Sequence, residues 1–152
     1  MLVNYQIIRN TYSITYDGNG HDEGDVPTDD KAYTLNEKAE IAKAGNLKKD
    51  KHVFVEWNTD SEGNGTGYTE EQQVEMKGNL KLYAIWERVF TITYNGNGHT
   101  GGTVPVDSKA YKLNEKATIS GIGDLENKDH DFVEWNTSAD GEGTGYDPDH
   151  QE

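Results

Sequence analysis

The chain has 152 residues, no cysteine and a formal net charge of -14, from 14 basic and 28 acidic residues. This charge repels phosphate backbones and anionic lipids, which argues against a nucleic-acid partner. Without cysteine there is no disulfide, no thiolate nucleophile and no Cys-ligated zinc. No apolar stretch approaches the roughly 18 residues of a membrane span, and the first ten residues lack a signal-peptide pattern. We therefore expect no membrane insertion.

The sequence repeats itself after a shift of 78 residues. Positions 12–74 align without a gap on positions 90–152, and 35 of these 63 pairs are identical. The same shift places residues 2–8 on residues 80–86. We predict that residues 1–11 are the final strand of a preceding repeat, that 12–89 form a complete repeat 1, and that 90–152 form a repeat 2 lacking its last strand.

The first predicted element of each copy is a half-buried strand. Tyr12, Ile14 and Tyr16 alternate with polar residues, and a glycine-rich turn follows at residues 17–20. Further along, Val26-Pro27 predicts a short extended piece, because the residue before proline avoids the helical region.

The middle of the copy carries weaker signals. Tyr33 and Leu35 predict a weak strand. Residues 36–44 are predicted as strand or loop, with a single helical turn as the alternative, since Thr118 and Gly121 of the second copy disfavour a helix there.

The clearest strand runs from His52 to Thr59 and precedes a glycine-rich connection. Strict alternation would put Val53, Val55 and Trp57 on one face and Phe54 and Glu56 on the other. Leu80–Trp86 is apolar on both faces, as a central strand would be. No turn signal separates this segment from Ile92, so the strand should run almost directly into the next copy.

Four motifs follow one another in the first copy: GxVP at 24–27, FVxWNT at 54–59, GxGTGY at 63–68 and LYAxW at 82–86, and the first three return in the second copy. With them the chain resembles the internalin-type B repeat, also called the Listeria–Bacteroides repeat. The resemblance implies a mainly β or α+β fold of two tandem small β-grasp-like (ubiquitin-like) repeats with a reduced or absent helix. It also implies a non-enzymatic module of a bacterial cell-surface or secreted protein, without cofactors, that acts extracellularly as a spacer, stalk or adhesive unit.

The chain departs from this family where Glu56 and Glu134 replace the usual glycine before the tryptophan, and where His52 and His130 stand in place of the tyrosine of a Gly-Tyr pair. The alternative function is therefore a module that binds a glycan or host-surface protein on the acidic strand face through these four residues. His52 and Glu56 on one face could form an acid/base pair, but a surface ion pair of little energetic value is the favoured interpretation.

Several residues could form a metal site or a sugar-stacking site, but each also has a simpler structural interpretation. Asp60, Glu62, Asn64 and Glu71 fit positions 1, 3, 5 and 12 of a calcium loop, with a glycine at position 6. The favoured interpretation is a solvated loop, because no helices flank it and the second copy lacks the pattern. Two histidines per copy are too few for a zinc site. The tryptophans Trp57, Trp86 and Trp135 are predicted to pack in the core rather than to stack on a sugar.

Residues 2–8 resemble a strand without a domain, and repeat 2 resembles a domain without its last strand. An empty strand position is a template for strand addition. We therefore expect self-association in which residues 2–8 of one chain complete repeat 2 of another. The alternative is a plain monomer of units 1–74 and 79–152, which is disfavoured because the three-residue joint Arg9-Asn10-Thr11 is too short for a parallel crossover.

Overall fold

A computed structural model describes residues 1–149 and divides the chain into two compact units, Met1–Arg88 (unit 1) and Val89–Glu152 (unit 2). The described residues contain no helix, and hence none that could cross a membrane. The fold is mainly β, as predicted. Its strands are β1 (Ile14–Asp17), β2 (Lys38–Glu40), β3 (His52–Asn58), β4 (Gly67–Tyr68), β5 (Gln73–Glu75), β6 (Leu80–Phe90), β7 (Tyr111–Lys112), β8 (Trp135–Asn136) and β9 (Gly145–Tyr146).

The main sheet of unit 1 has the strand order β1-β6-β3-β4. β1 and β6 run parallel with Ile14 opposite Leu80, while β6 with β3 and β3 with β4 are antiparallel. The prediction that Leu80–Trp86 forms a central strand is confirmed, because this segment is paired on both sides. The parallel contact between the first and last strands of the unit agrees with a β-grasp-like sheet.

A second, two-stranded sheet in unit 1 pairs β2 antiparallel with β5. β2 lies inside the segment 36–44, so strand was the correct choice there. The weak strand predicted at Tyr33 and Leu35 is confirmed only in unit 2, where the corresponding Tyr111–Lys112 forms β7 and pairs with the end of β6. In unit 1 Tyr33 makes an isolated bridge to Tyr12, and the chain turns at Leu35, whose side chain is 59% exposed. Asn36, with a φ of 63°, completes this turn and ends any extended run.

β3 departs from strict alternation. Its register against β6 shifts between Phe54 and Glu56, where a β-bulge leaves Val55 unpaired and 48% exposed. Trp57 pairs with Ala84 and Phe54 with Trp86, so the bulge brings Phe54 and Trp57 to the same face of the sheet. The prediction that Val55 shares a face with Trp57 is therefore wrong.

The core of unit 1 lies between the two sheets. Trp57 is fully buried, and the edges of the Tyr16 and Phe54 rings pack on its ring at centroid distances of 4.7 and 5.2 Å. Burial of aromatic and aliphatic area is the main stabilising term in so polar a chain. The buried cluster comprises Ile14, Tyr33, Ala39, Ile41, Ala44, Leu47, Trp57, Met76, Leu82 and Ala84.

Unit 2 repeats a set of hydrogen bonds from unit 1 at positions 78 residues later; we call this set the shared framework. In unit 1 the Tyr16 hydroxyl accepts from the Ala42 amide, and the Trp57 indole donates to the Ala42 carbonyl. In unit 2 the Tyr94 hydroxyl and the Trp135 indole make the same two bonds, to the backbone of Ser120. Among the described residues of unit 2, the strands after the end of β6 are the two-residue β7, β8 and β9, and the buried hydrophobic residues are Tyr111 and Ile119. The first strand predicted for this copy is therefore wrong, because Thr93 makes only an isolated bridge to Val106.

The chain start lies outside this secondary structure. Residues 1–11 contain no strand, and Leu2, Tyr5 and Ile7 are exposed. β6 instead completes the sheet of its own copy and continues to Phe90, as the absence of a turn signal predicted. The assignment of residues 1–11 to a preceding repeat stays a prediction.

Candidate functional site

Glu56 follows the bulge of β3, and its carboxylate lies across the neighbouring strand β4. It accepts a hydrogen bond of 2.9 Å from the Asn58 amide and lies against the backbone of Gly67, where a Cβ would collide with it. Glu134 has the same surroundings in unit 2, with a bond of 2.8 Å from Asn136 and its carboxylate over Gly145. Both glutamates therefore take part in the fold of their own unit.

Asn58 is the buried polar side chain that organises the connection after β3. Its carbonyl oxygen accepts from the amides of Asp60 at 2.9 Å and Gly65 at 3.0 Å, while its amino group donates to Glu56 and to the carbonyl of Gly63. All four hydrogen-bonding positions of an asparagine amide are thus used. This role was not predicted from the sequence, although Asn-Thr after the tryptophan is present in both copies.

The calcium candidates of the same connection have other contacts. The Asp60 carboxylate accepts from the backbone amides of Glu62 at 3.3 Å and Asn64 at 3.1 Å, so it caps the loop itself. Glu71 lies beyond β4 and forms an ion pair of 2.9 Å with Lys43, which raises the pKa of that lysine. Calcium binding by Asp60, Glu62, Asn64 and Glu71 stays an untested alternative to the favoured interpretation of a solvated loop.

The bulge also separates the two members of the predicted surface pair. His52 falls on the face of Phe54 and Trp57, and Glu56 falls on the opposite face, so the expectation of a shared face is wrong. His52 Nδ1 lies 2.6 Å from the Asp50 carbonyl oxygen, and His130 Nδ1 lies 2.8 Å from that of Lys128. Over residues 1–149, no group of three or more His, Cys, Asp or Glu side chains is arranged to hold a metal ion.

The tryptophans have indole N–H groups bonded to backbone carbonyls within their own unit. Trp57 is fully buried, as predicted for core packing. Trp86 is half-buried and donates to the Gly18 carbonyl at 2.9 Å, and Trp135 is half-buried and donates to Ser120. Trp86 and Trp135 also make edge-to-face contacts with Phe54 and Phe132, so part of each ring is already packed within its own unit.

Both units contain a charged cluster around a tyrosine. It was not predicted from the sequence, although the segments KAY (31–33 and 109–111) and NEK (36–38 and 114–116) are present in both copies. The Tyr33 hydroxyl donates to Asp29 at 2.8 Å, and burial, followed by this bond, raises the pKa of Tyr33 to about 12. Lys31 lies over the Tyr33 ring and pairs with Glu37 at 2.8 Å, which lowers the pKa of the glutamate. These contacts close the turn after Tyr33.

Unit 2 contains an open cleft of about 1190 Å³. Its lining includes residues 91–97, residues 130–141 and Ile119. In unit 1 the strands β1 and β3, which correspond to parts of this lining, both pair with β6.

Comparison with known proteins decides the family. The sequence model of the Listeria-Bacteroides repeat domain matches residues 12–85 and again residues 90–152. The chain belongs to the Listeria-Bacteroides repeat family. This confirms the resemblance inferred from the four motifs, and it makes the chain a repeat domain of a surface-type family that is typically non-enzymatic.

Two relatives of this repeat protein come from Evansella cellulosilytica. One, named as a candidate Gly-rich membrane protein, is 28% identical over 143 residues, which are 90% of this chain and 16% of the relative. The other, named as a candidate membrane protein, is 27% identical over 140 residues, 91% of this chain and 20% of the relative. The chain thus spans a fifth or less of the curated relatives it matches. No solved structure matches it.

Proposed function

We propose that this chain is a non-enzymatic module of a bacterial cell-surface or secreted protein and acts there as a spacer or adhesive unit. The observation that carries the proposal is the shared framework, which builds two units from one pattern and uses the polar groups of that pattern internally. Glu56, Asn58 and their counterparts bond within their own units, as do the tryptophan N–H groups.

The charge of the module supports the same proposal. A net charge of -14 on 152 residues disfavours contact with anionic polymers. The names of the two Evansella relatives, both referring to membrane proteins, favour a location outside the cytoplasm. Trypsin treatment of intact cells of the source bacterium should release peptides of this chain, and their absence from the released fraction would contradict an extracellular location.

Binding through the acidic face is tested with a substitution that keeps the fold. Glu56→Gln with Glu134→Gln retains a carbonyl oxygen for Asn58 and Asn136 but removes both charges. On glycan and host-protein arrays we expect the wild type and this double variant to give the same background signal. A wild-type signal that the double variant loses would refute a pure spacer and establish a binding module.

A further inference from the structure

The first and last strands of unit 1 lie side by side and run parallel. β1 pairs with β6 from Ile14 opposite Leu80 to Asp17 opposite Tyr83, and the Leu80 amide donates to the Ser13 carbonyl at 2.9 Å. The chain therefore enters unit 1 at one end of this pair and leaves it at the other end. Tension on the chain before β1 and after β6 pulls the two strands past each other along their length. Because the bonds of a parallel pair are evenly spaced along the strands, such tension loads them together rather than one after another.

Side-chain bonds lengthen the contact beyond the pairs of the two strands. We call the contact of residues 13–19 with residues 79–86 the β1–β6 seam. Three hydrogen bonds of 2.9–3.0 Å cross it outside the paired positions, and they join the Ser13 amide to the Asn79 side chain, the Asn19 side chain to the Ala84 carbonyl, and the Trp86 indole to the Gly18 carbonyl. The seam is thus bonded before β1 begins and after β1 ends.

One face of the seam is shielded from water. Ile14, Leu82 and Ala84 are at most 1% exposed. Water has little access from this side to replace a stretched bond, so the bond closes again instead of being exchanged for a bond to solvent. On the exposed face Lys81 and Asp17 form an ion pair of 3.7 Å across the seam, to which solvent screening leaves little energetic weight.

We propose that unit 1 is a force-bearing element in which the β1–β6 seam must break before the unit can be extended. The proposal deepens the proposed function and rests on it for the source of the tension, because a spacer that joins a cell to a second surface is pulled from its two ends. β3 pairs with the other edge of β6 and is attached directly to neither pulled end, so it moves with β6. The direct path of the load therefore crosses the seam.

The experiment pulls the full chain in two directions by single-molecule force spectroscopy. Because the chain has no cysteine, two introduced cysteines are the only thiols for attachment. In Asn10→Cys/Thr91→Cys the load runs along the seam. In Asn10→Cys/Gly78→Cys both attachments lie at the Ser13 end, so the load opens the seam from that end, bond by bond. Asn10 and Thr91 are exposed and Gly78 has open space around it, so the three positions accept the substitution.

The rupture force should be severalfold higher along the seam than in the opening direction. Forced unfolding is governed by the unfolding rate rather than by equilibrium stability, so one fold can differ between two directions of pulling. The length of released chain identifies the event: about 270–290 Å for attachment at 10 and 91 and about 220–240 Å for attachment at 10 and 78, less the distance between the attachment points in the folded unit. The bridge of Tyr12 to Tyr33 is loaded in both directions and cancels in the comparison.

Two matched substitutions test whether the bonds of the seam set this force. Trp86→Phe removes the indole bond to Gly18, which crosses the seam. Trp57→Phe removes an indole bond of the same length, 2.9 Å, to Ala42, which does not cross it. We expect Trp86→Phe to lower the force along the seam, and Trp57→Phe to lower it less although Trp57 is fully buried.

Equal rupture forces in the two directions overturn the proposal, as does a Trp57→Phe chain that loses as much force along the seam as the Trp86→Phe chain. The proposed function is tested separately by the release of peptides from intact cells. Failure of that release together with a clear difference between the two directions removes the extracellular location and leaves the mechanical resistance of unit 1 established. Release from cells together with equal forces leaves a surface module whose unit 1 is not force-bearing.

Discussion

Removal of the Asn58 side chain tests whether this residue anchors the connection between β3 and β4. Asn58→Ala deletes three hydrogen bonds of 2.9–3.0 Å and one of 3.4 Å. Each bond of this kind contributes a net of about 0.5–1.5 kcal/mol, and the three short bonds therefore suggest a loss of about 2–4 kcal/mol of unfolding free energy. The site is 1% exposed, so water cannot readily replace the lost partners.

Asn136→Ala is the matched control, because Asn136 makes the same four bonds in unit 2 but is only half-buried. Water can reach the amides it leaves, so we expect its loss to cost about 1 kcal/mol. Urea unfolding in a Trp135→Phe background makes tryptophan fluorescence report on unit 1 alone, and in a Trp57→Phe/Trp86→Phe background on unit 2. Equal losses in the two units, or a loss below about 1 kcal/mol at Asn58, would refute the reasoning.

Three further substitutions, one of them with a matched control, test the core, the charged cluster and a turn. Leu82→Ala removes a fully buried side chain of β6 and should lower the free energy of unfolding by about 2–5 kcal/mol in urea titrations. Burial, followed by the bond to Asp29, raises the pKa of Tyr33 to about 12. The stabilisation that this phenol provides is therefore complete below pH 10 and is lost as the pH rises to 12. Tyr33→Phe should make the urea midpoint fall less steeply over that pH range, and an unchanged slope contradicts the assignment. Gly24 has a φ of 87° and no room for a Cβ, so Gly24→Ala should cost more than about 1 kcal/mol, whereas Gly78→Ala, with open space around it, should leave the thermal midpoint within a few degrees.

The sequence predicts the fold well where periodicity and burial agree. β1, the central position of β6 and the strand beginning at His52 follow from alternation and from apolar residues on both faces. In unit 1 the expected strand at Leu35 fails because two apolar residues two positions apart are too short a pattern. The turn there depends on the positive φ of Asn36. The contacts around Tyr33 join residues that precede the turn, Asp29 and Lys31, to Glu37, which follows it.

The candidate site was harder to predict, because one extra residue in β3 reverses the faces that follow it. Alternation assigns His52 and Glu56 to one surface, and the bulge at Val55 puts them on opposite surfaces. Glu56 was correctly located on β3, whereas Glu134 directly precedes β8, and sequence alone gave no sign that each would lie over a glycine of the next strand. Such a contact depends on the pairing of Trp57 with Tyr68, which a single sequence does not specify.

The shared framework also bears on the order in which a unit folds. Its bonds join residues 42 positions apart or fewer, such as Tyr16 with Ala42 at 26 positions and Asn19 with Ser61 at 42. The contacts of β6 with the first turn, in contrast, span 65 residues for Asn19 with Ala84 and 68 for Trp86 with Gly18. Closing longer loops costs more chain entropy and slows folding. In unit 1 the contacts of shorter range can therefore form first, and β6 can dock onto them last.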